Sequence, residues 1–424
     1  MIWISAASVD VSPLESVYLG CGTGSKVGPG EITDPLEANI LLVHSFDKKS
    51  KVVIISVDTL FLGPRVSNEI ISGVSGVFEN KEIFLAATHT HTAPMVDETK
   101  PNLGIRNDDY ADFLVSRIVR ATLDLASEEP TLVTMDFYSA RIGGVVARRN
   151  MRFLEFSRYG IKFRQTLQRP NLHTGKVKVS IADFFDDQNE LVATLAVIPC
   201  HPVALMGLET ISPDLVGKLR VDYSRRLGSI TPAPFVFLQG ASGDLNPWSR
   251  SHWVPLDLIS TMDQILNGVR FSRPLFTPLE LVAWSKLRVQ ELFRAKRKKS
   301  AFLPKNGGAV ASVLDVFPMS DFLNKANFLD QRSVHIQQVK VEEFEIVGVS
   351  AELTSELKLE LLGKHSEREL VGCIRDSFGY ITSTQQYRQG GYEVDDHQWH
   401  FSIEHRQGFS PTKAIKHYFT TAKI

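Results

Sequence analysis

Two histidines one residue apart, in Thr88-His89-Thr90-His91-Thr92-Ala93-Pro94, follow directly on the apolar run Ile83-Phe84-Leu85-Ala86-Ala87. An apolar run of this length that stops at polar residues reads as a buried strand whose end emerges at a crevice. Side chains two apart on an extended segment share a face, so His89 and His91 are expected to aim at one point. Two imidazoles converging there suit a metal ion or a proton relay.

Further donors recur at the ends of other predicted strands. Leu191 to Ile198 runs into Pro199-Cys200-His201-Pro202, and Glu345 to Val349 runs into Ser350-Ala351-Glu352. A sheet brings distant strand ends together, so His89, His201 and Glu352 can share one crevice. A catalytic zinc takes three or four nitrogen and oxygen ligands and keeps a position open. Bound there, it would lower the pKa of its water to about 7 and polarise a carbonyl. Hydrolysis of an acyl group is the simplest use of such a site. Gly240-Ala241-Ser242-Gly243-Asp244 approaches a nucleophile elbow, but GxSxG needs glycine at 244, so this loop is expected at the rim of the metal site instead. Cys200, on an apolar strand, reads as inert core, and the Gly20 to Gly24 turn with Cys21 reads as a loop.

The elements that must position these residues form a mixed α/β pattern. Val52 to Val57, a helix over Pro64 to Phe78 and the Ile83 strand make a βαβ unit with a parallel strand pair. Asn107-Asp108-Asp109 caps a helix that ends near Pro130, and a strand near Leu132 to Tyr138 leads to Arg148-Arg149-Asn150. A hairpin over 177 to 198 turns at Asp186-Asp187-Gln188-Asn189. Ser212-Pro213-Asp214 opens a helix with Ser212 as the cap, and Phe235 to Leu238 is another buried strand. Residues 278 to 299 form an amphipathic helix with Leu281, Trp284, Val289 and Leu292 inward, and its basic end at 294 to 299 suits the helix dipole. Residues 300 to 333 read as a covering loop before a strand pair, Ser333 to Val341 and Glu345 to Val349. The expected fold is mixed α+β, with twisted mixed sheets flanked by helices, the site at strand ends, and residues 1–424 as one domain.

The 424 residues carry a net charge of -1, which gives no electrostatic reason to expect nucleic acid. Hydrophobic content of 43% and charged content of 22% exclude disordered and fibrous classes. Three cysteines cannot all pair internally, which fits a reducing compartment. Neither a signal peptide nor an apolar stretch long enough to span a membrane is evident. A cytoplasmic protein is the expectation.

At this point the motifs resemble the neutral, non-lysosomal ceramidases. The resemblance rests on Thr88 to Pro94, His201-Pro202-Val203, Gln239 to Pro247, Val349-Ser350-Ala351-Glu352-Leu353-Thr354, and Tyr380-Ile381-Thr382 through Tyr387 to Tyr392-Glu393. Val9-Asp10-Val11-Ser12-Pro13 with Leu19-Gly20 is similar to the family's opening. It implies zinc held by His89, His201, Glu352 and Tyr380. It also implies that His91, Tyr392 and an arginine act beside the attacked carbonyl. Ala147-Arg148-Arg149 occupies the place of the family's Asn-Arg motif without its Asn, and the arginine role is expected of Arg148, with Arg149 as the alternative. The implied activity is zinc-dependent cleavage of an N-acyl amide bond in a lipid, an acylated amino sugar or a glycan. The alternatives are an O-acyl esterase or acyltransferase acting on a polysaccharide, and a non-catalytic zinc-containing assembly domain. No counterpart of the family's C-terminal β-sandwich is expected after Tyr392.

Overall fold

The computed structural model describes residues 1–20, 30–142, 146–148, 151–157, 160–166, 176–228, 232–247, 278–296, 309–318, 333–363, 366–401 and 411–421. An eight-stranded sheet runs in the order Phe235–Gln239, Leu191–Ile198, Val177–Phe185, Thr131–Ile142, Ile2–Asp10, Glu37–His44, Lys51–Val57, Ile83–Ala87. Its inner pairings are antiparallel, whereas each edge is a parallel pair, Leu195 against Val236 at one side and Ile54 against Phe84 at the other. Parallel neighbours need a crossover. Helix Gly63–Val74 supplies one and Leu215–Arg226 the other. A four-stranded sheet, in the order Val310–Pro318, Ser333–Val341, Phe344–Val349, Glu369–Val371, ends in a third parallel pair crossed by helix Ser355–Leu362.

Alternation along the strands separates the core into layers. Val53, Ile55 and Val57 face helices 63–74 and Asp108–Ser127. Val66, Ile70 and Val74 of the first helix are fully buried against them, worth about 1.5–3 kcal/mol each. Val52 and Ile54 point the other way, into an interior shared with Val236 and Leu238 of the opposite edge and with Phe344 and Ile346 of the smaller sheet. The large sheet therefore curls until its two edges approach. The Ser56 hydroxyl donates to the Phe237 carbonyl across that gap at 2.5 Å. Phe235 and Phe237 face outward onto helices 215–226 and Pro278–Lys296, where Leu281, Trp284 and Val289 are buried.

Single bridges tie the two sheets together. Ala86 pairs with Ile374 and Gly240 with Val371, so both edges of the large sheet meet the segment 371–374 of the smaller one. The mixed α+β expectation holds, and the site lies at this junction.

Some expected elements change. Residues 310–318 form an edge strand within the stretch read as a loop. Asn107 caps its helix as expected, accepting from Tyr110 N at 2.8 Å. The helix after Pro213, however, begins at Leu215 with Asp214 as its cap. The Ser212 hydroxyl instead receives the Asp214 N–H at 3.1 Å. Leu292, Cys21 and the 297–299 basic residues lie outside the described side chains.

Candidate metal centre

His89 follows the edge strand by two residues, yet its backbone is not extended. It sits at φ 67, a left-handed conformation that costs a non-glycine residue of order 1–3 kcal/mol. Three bonds hold it there. Thr88 N donates to the Val57 carbonyl, His89 N donates to the Thr59 carbonyl at 3.0 Å, and Nδ1 lies 2.9 Å from the Leu60 carbonyl. The Nδ1 contact assigns the proton to Nδ1 and leaves Nε2 as a donor atom for a ligand. His91 reaches the same point by this bend in the chain, and the two rings meet edge-on at 5.0 Å.

His201 lies three residues beyond strand 191–198, with its N–H on the Leu245 carbonyl at 3.0 Å and Nδ1 3.4 Å from the Ser242 carbonyl. The Gly240 to Asp244 loop thus orients an imidazole through the Ser242 carbonyl, and the Ser242 side chain is buried. Nε2 of His201 stands 3.1 Å from Nε2 of His91. Ligand atoms of His89, His91 and His201 all lie within 4.8 Å of one another, two of the rings buried and His91 half-buried. Three histidines so placed can hold a metal ion.

Glu352 lies three residues beyond the strand Phe344–Val349 of the smaller sheet. Its Oε2 is 3.3 Å from His89 Nε2 and 3.9 Å from His201 Nε2. Its backbone pairs in parallel with Tyr380, a register that turns the two side chains to one face. Tyr380 is 5% exposed, and its ring meets Tyr392 at 5.8 Å and His397 at 5.1 Å. Gly243 makes room for it, because a Cβ there would lie 2.9 Å from the Tyr380 ring. Arg148 is placed by its backbone alone, in a short pairing with Leu245, whose carbonyl also receives His201 N. The Arg148 side chain, and Arg149 altogether, lie outside the described residues.

His89 Nε2 and Glu352 Oε2 are buried and face each other without hydrogen-bond geometry, and neither has a hydrogen-bond partner among the described residues. Buried polar atoms are ordinarily satisfied, so two such atoms converging on one point fit a site built to hold a ligand. Burial opposes a charge on His89. The Glu352 carboxylate, helped by Cys373, nevertheless holds its pKa well above the ordinary 6.5. A dication would take the place of that proton. The three imidazoles, with the Glu352 carboxylate beside His89, offer the nitrogen and oxygen donors that a divalent metal ion accepts.

Sequence reasoning passed over several residues here. Cys373, itself at φ 56, lies against His89, and its thiol, pushed up by burial, donates to Gln239 Oε1 at 3.0 Å. Phe61 packs edge-on to His89 at 4.6 Å, and Lys100 lies over Phe61. None belongs to a spaced motif, so only the three-dimensional arrangement reveals them. Cys200 is buried, and burial raises its thiol pKa, as an inert core residue requires.

No protein-family model matches the sequence, and no curated protein matches it. Among solved structures, a neutral ceramidase from Pseudomonas aeruginosa superposes with a TM-score of 0.71 at 14% identity, over 99% of this chain and 73% of that one. A ceramidase complexed with C2 superposes with a TM-score of 0.70, also at 14% identity, over 99% and 74%. Across nearly its whole length this chain has the fold of the neutral ceramidases.

Proposed function

We propose that the protein is a zinc-dependent hydrolase of ceramidase type that cleaves an N-acyl amide bond. The carrying observation is the pair of buried, unsatisfied atoms, His89 Nε2 and Glu352 Oε2, converging with His201 at the junction of two sheets. The donor set on this reading is His89, His201, Glu352 and Tyr380. When bound, zinc supplies Lewis acidity and an activated water.

The chain's own residues then have separable tasks. The Leu60 and Ser242 carbonyls orient the two ligand imidazoles. His91, half-buried and 3.1 Å from His201, is placed to hand a proton to the departing amine. Tyr392, edge-on to Tyr380, and Arg148 are assigned to the attacked carbonyl, where preorganised donors stabilise developing negative charge. Because these residues come from positions 89 to 392, we read the whole span as one catalytic unit. Among the described residues no helix is long and apolar enough to cross a membrane. A cytoplasmic location remains part of the proposal.

Elemental analysis tests the metal, and release of free amine from N-acyl sphingoid bases, N-acyl amino sugars and N-acetylated glycans tests the bond. Chelator-sensitive amine release supports the reading. Turnover confined to O-acetyl esters would move it to an esterase. Stoichiometric zinc with no turnover on any of these would make the chain a binding module.

A further inference from the structure

Lys100 is wholly buried, and its only ionic partner among the described residues, Asp97, is wholly buried with it. The ammonium donates to an Asp97 carboxylate oxygen and to the Thr99 hydroxyl at 3.1 Å. It also stands over two aromatic faces, 4.7 Å from the Phe61 centroid and 5.5 Å from that of Phe401. Those rings lie 5.4 Å apart and extend in opposite directions. Phe61 meets His89 at 4.6 Å, and Phe401 meets Tyr380 at 5.9 Å and His397 at 5.7 Å. One ammonium therefore grips both rings that pack on two of the proposed zinc ligands, His89 and Tyr380.

We infer that the Asp97–Lys100 pair is a positioning device for the metal centre, an inference that rests on the zinc-hydrolase reading. The fold alone gives little reason to keep it. Removing two charges from water costs more than their attraction usually returns, and apolar residues of similar volume serve a core equally well or better. A desolvated cation does, however, fix aromatic faces beneath it by a directional attraction that an apolar side chain lacks. Phe61 is the next residue after Leu60, whose carbonyl sets the His89 tautomer. Anchoring Phe61 thus fixes both the edge that His89 packs against and the carbonyl that orients its ring. Asp97 is itself locked, receiving the Thr99 N–H at 2.8 Å and the Thr99 hydroxyl at 2.7 Å. A Cβ at Gly63 would lie 2.8 Å from its Oδ1, so the helix start at Gly63 is shaped around it.

The test compares wild type with Asp97→Asn/Lys100→Met, in which neither charge is left unpaired, and with Lys100→Met alone. Thermal midpoint, zinc affinity by chelator competition on the metal-free protein, and kcat and KM are read for each. Expected is a double variant that melts at or above the wild-type midpoint, binds zinc about 10–100-fold more weakly, and loses kcat with KM little changed. Lys100→Met alone should melt lower, because Asp97 then loses its buried counter-charge. A double variant whose zinc affinity and kcat lie within two-fold of wild type overturns the inference while leaving the hydrolase reading intact. Wild type that binds no zinc in the same titration removes both.

Discussion

Glu352 Oε2 stands 3.3 Å from His89 Nε2 inside a pocket where both residues are under 4% exposed. His89 follows the edge strand of the eight-stranded sheet and Glu352 follows the strand Phe344–Val349 of the four-stranded one, so the contact exists only once the two sheets have docked. Burial opposes a charge on His89, and the nearby Glu352 outweighs it and raises the His89 pKa well above the ordinary 6.5. Glu352→Gln removes the attraction and leaves the burial. The expected outcome is an His89 ring that is protonated near pH 7 in metal-free wild type and neutral in the variant, read from imidazole nitrogen NMR shifts. Zinc affinity should fall at least 100-fold in the same variant. A ring with the same titration in both proteins would contradict the assignment.

A Cβ at Gly243 would lie 2.9 Å from the edge of the Tyr380 ring. Gly243→Ala must push the phenol away from Glu352 or shift the Ser242 carbonyl that faces His201. Either displacement moves a group at the site, and a misplacement of about 1 Å can cost about 100-fold in rate. Overpacking should cost about 1–3 kcal/mol of stability. Steady-state kinetics together with thermal unfolding check both, and an alanine variant of wild-type activity would show that Tyr380 does not need its present place.

His201 and Glu352 were legible because an apolar run that stops at polar residues marks a strand end, and both lie three residues beyond such a run. His89 was legible in place though not in geometry. The expectation of an extended His-x-His fails at φ 67, where the pairing of the rings comes from a bend held by the Thr59 and Leu60 carbonyls. The strand Val310–Pro318 was hidden by its edge position, which leaves Val313 and Val316 half exposed and blurs the alternation. Asp97, Lys100 and Cys373 were invisible because their meaning lies in what they touch. Which rings sit beneath an ammonium depends on how the large sheet curls, and no local pattern encodes that.

Arg220 forms a two-pronged pair with Asp58, at 2.6 and 2.9 Å, with both side chains buried. Asp58 directly precedes Thr59 and Leu60, the residues that hold His89, and also receives the Glu37 N–H at 2.9 Å. Arg220→Met leaves a buried carboxylate without its counter-charge and should cost about 3–5 kcal/mol. Asp58→Asn combined with Arg220→Met should recover most of that loss. Denaturant unfolding of the two variants makes the comparison, and equal losses in both would mean the pair matters for its shape alone.

Asp214 and His335 predict a pH dependence with opposing halves. Burial lifts the Asp214 carboxyl to about 6, against the opposing pull of the Leu205, Leu215 and Ala204 N–H groups that it receives. Between 3.8, its ordinary value, and 6 the folded chain therefore holds more of this proton than the unfolded one. Its contribution to stability is complete below 3.8 and is lost as pH rises through 6. His335 runs the other way. Burial, then the nearby Arg375 charge, lowers it to about 4, so between 4 and 6.5 the unfolded chain binds more proton and stability falls as pH falls. Each effect is at most about 3 kcal/mol, and over most of this window they oppose each other. Asp214→Asn should therefore make acidification from pH 6.5 to 4 more destabilising than in wild type, and His335→Gln should make it less so. Thermal midpoints measured across that range decide the matter, and variants that parallel the wild-type curve would show that neither group titrates differently on folding.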